Sequence, residues 1–240
     1  MGEFMIGIDP VTLASMVVLA GYKPECPSHD PTQINITPVS EKVKYDISQS
    51  LKDIQRYDTD TVDPYSFHGQ SITQAFMRGS VGMGYNIEFS TSTNPNNGVS
   101  CMWYKAINIE IKVDPTIVVA KEIYHDACMR KAVIGHELKH VKVDREVVNK
   151  YAKSIGSKLM SGLKSRGFTA GPFNAERAPE VKAKMVRVVS QIVEFEKEKM
   201  DLERRERQLR VDTLEEYERV DDQCPNFQKK KDVIYADILQ

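Results

Sequence analysis

"AVIGHELKHVKVDREVV", residues 132–148, is the stretch whose reading decides the fold. On an α-helix its His136 and His140 stand one turn apart on one face. Both imidazoles can then reach a single ion. Glu137 points beside that ion, where its carboxylate can take a proton from bound water. Apolar residues at Ala132, Val133, Leu138, Val141, Val147 and Val148 support helical spacing, and no proline interrupts the chain from Ala127 to Lys164. The motif therefore lies within one long helix that begins near Asp126. Gly135, just before the motif, removes a side chain where a strand or a substrate could come close.

Beyond this helix, "SRGFTAGPFN" (165–174) reads as a turn. A second helix follows from about Ala178 to Val211, with an apolar stripe of Val181, Met185, Val188, Ile192 and Phe195. The stripe gives way to the charged run "EKEKMDLERRERQ" (196–208). "TLEE" (213–216) is a capping-box pattern, which predicts a break near Asp212 and a short helix to Asp222. The tail from Cys224 carries no decisive pattern.

The chain ahead of the motif reads as strands. "KVKYDIS" (42–48) alternates, "SLKDIQRY" (50–57) is a turn of helix or a strand edge, and residues 58–71 are a polar loop. Residues 79–113 are β-rich, with a turn at "NPNNG" (94–98). "INIEIKV" (107–113) alternates and predicts one buried face, and Asp114-Pro115 predicts a break before "TIVVAKEI" (116–123) resumes. Strands first and an antiparallel helical hairpin afterwards make an α+β arrangement. Residues 1–40 form an N-terminal segment and 41–240 the main domain, with prolines 24, 27, 31 and 38 making 23–40 an irregular lead-in.

With 240 residues, 28% charged and 41% hydrophobic, the chain is long enough for one substantial core. A formal net charge of −1 gives no electrostatic reason to expect nucleic acid. No apolar run approaches the length of a spanning helix, so an integral membrane protein is not expected, and a monomer is favoured. "VTLASMVVLAGY" (11–22) has the apolar core of a signal peptide, and Val18-Leu19-Ala20 suits cleavage, but no Lys or Arg precedes it. The alternative is a short buried helix with Asp9 as N-cap. Four cysteines, none in a C-x-x-C pair, suit two disulfides in an oxidising compartment. Cys101 and Cys128 flank the β-rich segment, which makes Cys101–Cys128 the first expected pair and Cys26–Cys224 the second.

"HELKHVKVD" resembles the zincin metallopeptidases, the gluzincin branch in particular. The resemblance implies a zincin-like α+β fold, zinc held by His136 and His140, and Glu137 as general base in peptide-bond hydrolysis. Asp144 resembles the aspartate after the motif in thermolysin-like enzymes. It lies about 12 Å along the helix from His136, too far to bind the same ion. It either hydrogen-bonds behind the ligands or pairs with a surface lysine. Residues from Cys101 onward also look like bacterial families of predicted secreted zinc-dependent proteases. That likeness implies a bacterial origin and a secreted or periplasmic location.

A catalytic zinc takes three protein ligands and a water. The third ligand is missing from the usual spacings. Folding the hairpin at Gly171 sets HELKH level with residues 200–207, which favours Glu203. Asp212, in "RQLRVDTLEEY", is the rival because the family resemblance points there, and Glu176 is a more distant candidate. Asp212 has the competing task of capping the short helix. His125 is expected to cap or lie on the surface, His29 and His68 to sit in loops, and Tyr217 to pack between short helices. The resemblance implies a peptide or protein substrate, held by edge pairing to "INIEIKV" or "TIVVAKEI". The competing expectation is a non-catalytic interaction module, with Glu194–Arg219 as a charged helical arm and a structural or vestigial metal site.

Overall fold

A computed structural model describes residues 25–57 and 72–236. The signal-like stretch, the polar loop with His68 and the last four residues of the tail lie outside them. The described chain is α+β, with a five-stranded sheet. Its axis is β4 (Val99–Val119), whose β-branched and aromatic residues favour a long strand. β3 (Ala75–Thr93) pairs antiparallel with β4 along nearly its whole length. β5 (Thr169–Asn174), β1 (Gln33–Ser40) and β2 (Lys44–Asp46) follow one another along the opposite edge.

Three sequence expectations fail here. The proline-rich lead-in contains a strand, because β1 pairs in register with Ala106–Val113. Asp114-Pro115 does not break β4. Val113 accepts the Glu41 N–H, so odd-numbered residues here direct their backbone polar groups to that edge. Pro115, which has no N–H, falls in the gap between β1 and β2. Finally, "INIEIKV" and the first half of "TIVVAKEI", Thr116–Val119, belong to β4, which has strands on both sides and no free edge for a substrate, while Lys121–Ile123 turn into a helix.

One face of β4 turns Ile107, Ile109, Ile111 and Val113 into the core, while the other carries Glu110 and Lys112. The buried face is covered by helices. α1 (Leu51–Ile54) and α2 (Lys121–Tyr124) are single turns at one end of the sheet. α3 (Ala127–Arg166) is the predicted long helix, started by Asp126, whose side chain accepts the N–H groups of Cys128 and Met129. At 40 residues it extends about 60 Å, comparable to β4, so one helix can run the length of the sheet. α4 (Ala178–Leu209) packs back along it, and α5 (Leu214–Asp222) and α6 (Pro225–Tyr235) follow. A Cβ at Gly162 would come within 2.7 Å of Ile192 Cδ1, so a larger residue there would have to push that side chain aside.

Two details of the hairpin differ from expectation. Its turn contains β5, which ties the connection to the sheet. The buried stripe of α4 is Met185, Val189, Val193, Glu196 and Met200, whereas Phe195 is 60% exposed. The charged run is not a free arm, because Glu203 pairs with Lys150, Arg204 with Asp144 and Arg207 with Glu146 on α3. Two apolar clusters result. One joins the middle of the sheet to α3 and α4, and the other gathers α1, α2, the start of α3, α5 and α6.

All four cysteines are bonded, but as Cys26–Cys101 and Cys128–Cys224 rather than the expected pairs. Cys101 and Cys128 are near in sequence, yet β4 carries the chain about 60 Å between them. A disulfide needs Cα atoms within about 7 Å. Among the described residues no helix is long and apolar enough to cross a membrane.

Candidate metal centre

The site lies on α3 at the seam between the two apolar clusters, with Val133 in one and Val143 in the other. What faces it is set by the hairpin register. Ser154 meets Glu196, Asp144 meets Arg204 and Gln208, and His140 meets Gln208 and Asp212. These pairs pivot about Ala175, not Gly171, because β5 displaces the reversal along the chain. Each residue of displacement moves the facing position by two. HELKH therefore meets Asp212, and Glu203 falls beside Lys150, more than two turns away from the histidines. Glu203 is not near the imidazoles, and Glu176 sits in the 3₁₀ turn that precedes α4.

His136, His140 and Asp212 offer ligand atoms that all lie within 4.8 Å of one another. Asp212 Oδ1 is 3.2 Å from His136 Nε2 and 3.1 Å from His140 Nε2, and the two nitrogens are 3.3 Å apart. The far side of each ring decides what these nitrogens carry. His140 Nδ1 is 2.6 Å from Gln208 Oε1, which can only accept, so Nδ1 holds the proton. His136 Nδ1 faces the Glu216 carboxylate at 3.3 Å, which likewise can only accept. Neutral imidazoles then present two lone pairs and a carboxylate oxygen toward one point. Three acceptors converging there fit a cation.

Gln208 is itself held, since its amide donates to Asp144 Oδ1 at 2.5 Å and to the His140 carbonyl at 3.1 Å. Asp144 is fully buried and takes a two-point bond from Arg204 at 2.6 and 3.1 Å. Asp144 thus orients His140 through Gln208, which decides between its two expected roles. Glu216 is fixed by Lys139 and Arg219 at 2.5 Å each. Tyr217 donates to Asp212 at 3.2 Å, and its ring lies 5.4 Å from that of His136.

The electrostatics follow from burial and these partners. Arg219 foremost, then Lys139 and His136, hold Glu216 down to about 2 against some desolvation. Burial alone would raise the Asp212 carboxyl, but its bonds to both histidines drive it far below the usual carboxylate range. Burial likewise disfavours a charged His140, yet Asp212 and Glu137 outweigh it and lift the imidazole to about 9 when no metal is bound. Glu137 goes the other way. It is 5% exposed, and desolvation raises it although both histidines and the Met77 backbone of β3 favour its charged form.

Several expectations are corrected by this geometry. No strand approaches Gly135, since among the described residues a Cβ there would meet open space. Others hold: His125 caps α2 as expected, and His29 lies in a loop as expected, where it stacks on Trp103 at 4.8 Å. Thr213, not Asp212, caps α5, which leaves Asp212 available to the histidines. The capping-box reading holds by half: Thr213 accepts the Glu216 N–H, but the Glu216 side chain turns to His136. Glu216, Gln208 and Met77 were not anticipated. The i, i+4 series Gln208, Asp212, Glu216 was the available signal, but the break between α4 and α5 conceals it. In comparisons with protein-family models, curated proteins and solved structures, the chain matches none.

Proposed function

We propose that this chain is a zinc-dependent peptide hydrolase of zincin-like design, with His136, His140 and Asp212 as ligands and Glu137 as general base. The observation that carries the reading is the triangle of acceptor atoms with 3.1–3.3 Å edges. A tetrahedral ion with ligands at about 2.0–2.1 Å requires donors about 3.3–3.4 Å apart. Two imidazoles and a carboxylate also suit zinc better than calcium or magnesium, which favour all-oxygen sites.

Bound zinc would supply acidity to a water and polarise a carbonyl. The chain's own residues do the rest. Glu137 is desolvated, so its carboxylate is a stronger base than one in water, suited to accept a proton and return it to a leaving amine. Gln208 and Glu216 keep the ring protons on Nδ1 and the Nε2 lone pairs on the ligand side. Tyr217 steadies Asp212. A purely structural metal would leave the buried base Glu137 without a task. Two disulfides suit an oxidising compartment, so we place the protein outside the cytosol.

The test is zinc analysis of the purified protein, followed by peptide cleavage with and without a chelator. The reading expects one zinc per chain and chelator-sensitive cleavage that Glu137→Gln abolishes with zinc retained. Unchanged cleavage by that variant would defeat the hydrolase assignment.

A further inference from the structure

The Cys128–Cys224 disulfide lies on the same helix ridge as the ligands. Along α3, Cys128, Ala132, His136, His140 and Asp144 recur at every fourth position, a single i±4 ridge. Facing them in antiparallel order are Cys224, Val220, Glu216, Asp212 and Gln208, again every fourth position. The rungs close one after another. Cys128 is bonded to Cys224, and Ala132 and Val220 are buried in the same apolar cluster. His136 meets Glu216, His140 meets Asp212, and Asp144 meets Gln208.

Asp212 sits at the break between α4 and α5, so no continuous helix fixes it from the α4 side. From the other side it is carried by α5, nine residues with Val220 as its one buried residue. A helix this short does not hold its own position. The covalent bond at its far end does, because Cys224 lies two residues past α5 and Cys128 is in the first turn of α3.

We infer that the Cys128–Cys224 disulfide is a positioning element of the metal centre, which keeps Asp212 and Glu216 in register with the histidines and makes metal retention depend on redox state. This rests on the metal reading above. Its reversal needs a dithiol reductant. One thiolate attacks a sulfur of the bridge, giving a mixed disulfide and one freed cysteine thiolate. The second thiol of the reagent then displaces the other cysteine. Two electrons and two protons pass to Cys128 and Cys224, and the reagent leaves as its own disulfide. The bridge is accessible: Cys128 is exposed, and a cleft lined by Asp126, Gln223 and Asn226 opens on it. The other bridge ties Cys26 to β4 beside β5 and touches none of the ladder.

The experiment measures zinc affinity of the folded protein by competition with a chromophoric chelator. The samples are the oxidised wild type, a Cys128→Ser/Cys224→Ser variant, and a Cys26→Ser/Cys101→Ser variant as control. Serines prevent freed thiolates from binding zinc themselves. Loss of the ladder bridge is expected to weaken zinc about 10–100-fold, the usual effect of losing support behind metal ligands. The control should stay within about twofold of wild type. Hydrogen exchange on metal-free wild type, before and after dithiol treatment, gives a readout that needs no variant. Protection should fall in Leu214–Asp222 while β4 stays protected. Unchanged affinity without the Cys128–Cys224 bridge, equal loss in both variants, or unchanged exchange of α5 on reduction would each overturn the inference. Oxidised wild type that binds no zinc would instead overturn the metal centre, and this inference with it.

Discussion

Replacing Asp212 by asparagine and Glu203 by alanine separates the observed register from the one expected for a hairpin pivoting at Gly171. Asp212 is 7% exposed in its side chain and contacts both Nε2 atoms, so Asp212→Asn removes one anionic ligand and little volume. Zinc sites of four ligands bind with about 10–16 kcal/mol, or roughly 3–4 kcal/mol per ligand. At about 1.4 kcal/mol per tenfold, zinc affinity should fall roughly 10²–10³-fold. Glu203 is 22% exposed and pairs with Lys150 and Arg207. Glu203→Ala should cost about 0–1 kcal/mol of stability and leave zinc binding unchanged. Chelator competition measures the first number and urea denaturation of metal-free protein the second. Full zinc affinity in Asp212→Asn, or a matching loss in Glu203→Ala, would refute the register and the ligand set together.

Glu137→Gln should raise the melting temperature of the metal-free protein at pH 7, since it removes a carboxylate that burial disfavours; a calorimetric scan showing a fall would contradict that cost. Gln208→Leu removes the acceptor that holds the His140 ring, so zinc affinity should drop about 10–100-fold while far-UV circular dichroism stays that of wild type. Asp144→Ala removes the two charge-assisted bonds to Arg204, itself 27% exposed, and should cost about 1.5–3 kcal/mol in denaturant unfolding. For metal-free protein, His140 is raised to about 9 from 6.5, so its stabilising bond is fully present below 6.5 and lost as pH rises to about 9. The lowered Asp212 belongs to the same interaction and is not counted again. Metal-free melting temperature should therefore fall across that window, and zinc-loaded protein should not show the loss, because zinc replaces the proton.

The motif helix was legible because its pattern is local: two histidines, a glutamate and forty residues without proline fix α3 and the faces of Glu137, His136 and His140. The α+β order was legible from alternation in "INIEIKV". What depended on long-range geometry was not. Pro115 looked like a break because its missing N–H matters only if a strand lies opposite, and there β1 has ended and β2 has not begun. Glu203 was favoured over its rival Asp212 because a strand hidden in "TAGPFN" moved the pivot of the hairpin. The disulfide pairs were exchanged because closeness along a chain says nothing about the two ends of an extended strand. Cys128 and Cys224 each stand about two helical turns beyond a residue of the site, His136 and Glu216, but this equality has meaning only once the helices are known to face each other.

Charge balance around the site points the same way as its geometry. Glu216 has Lys139 and Arg219, and Asp144 has Arg204, so those two carboxylates are matched by cations of the chain. Asp212 bonds to imidazoles and the Tyr217 hydroxyl, and Glu137 is favoured by the histidines and a backbone N–H. Neither has a lysine or arginine bridge among the described residues. A protonated His140 pairs with Asp212 and leaves Glu137 as the carboxylate whose charge burial still disfavours. A dication held by Asp212 and the imidazoles would offset the Glu137 charge as well. It would also take up the Nε2 lone pairs that Gln208 and Glu216 direct inward. The buried charge of Glu137, which makes the metal-free site costly, is thus the charge a zinc ion would use.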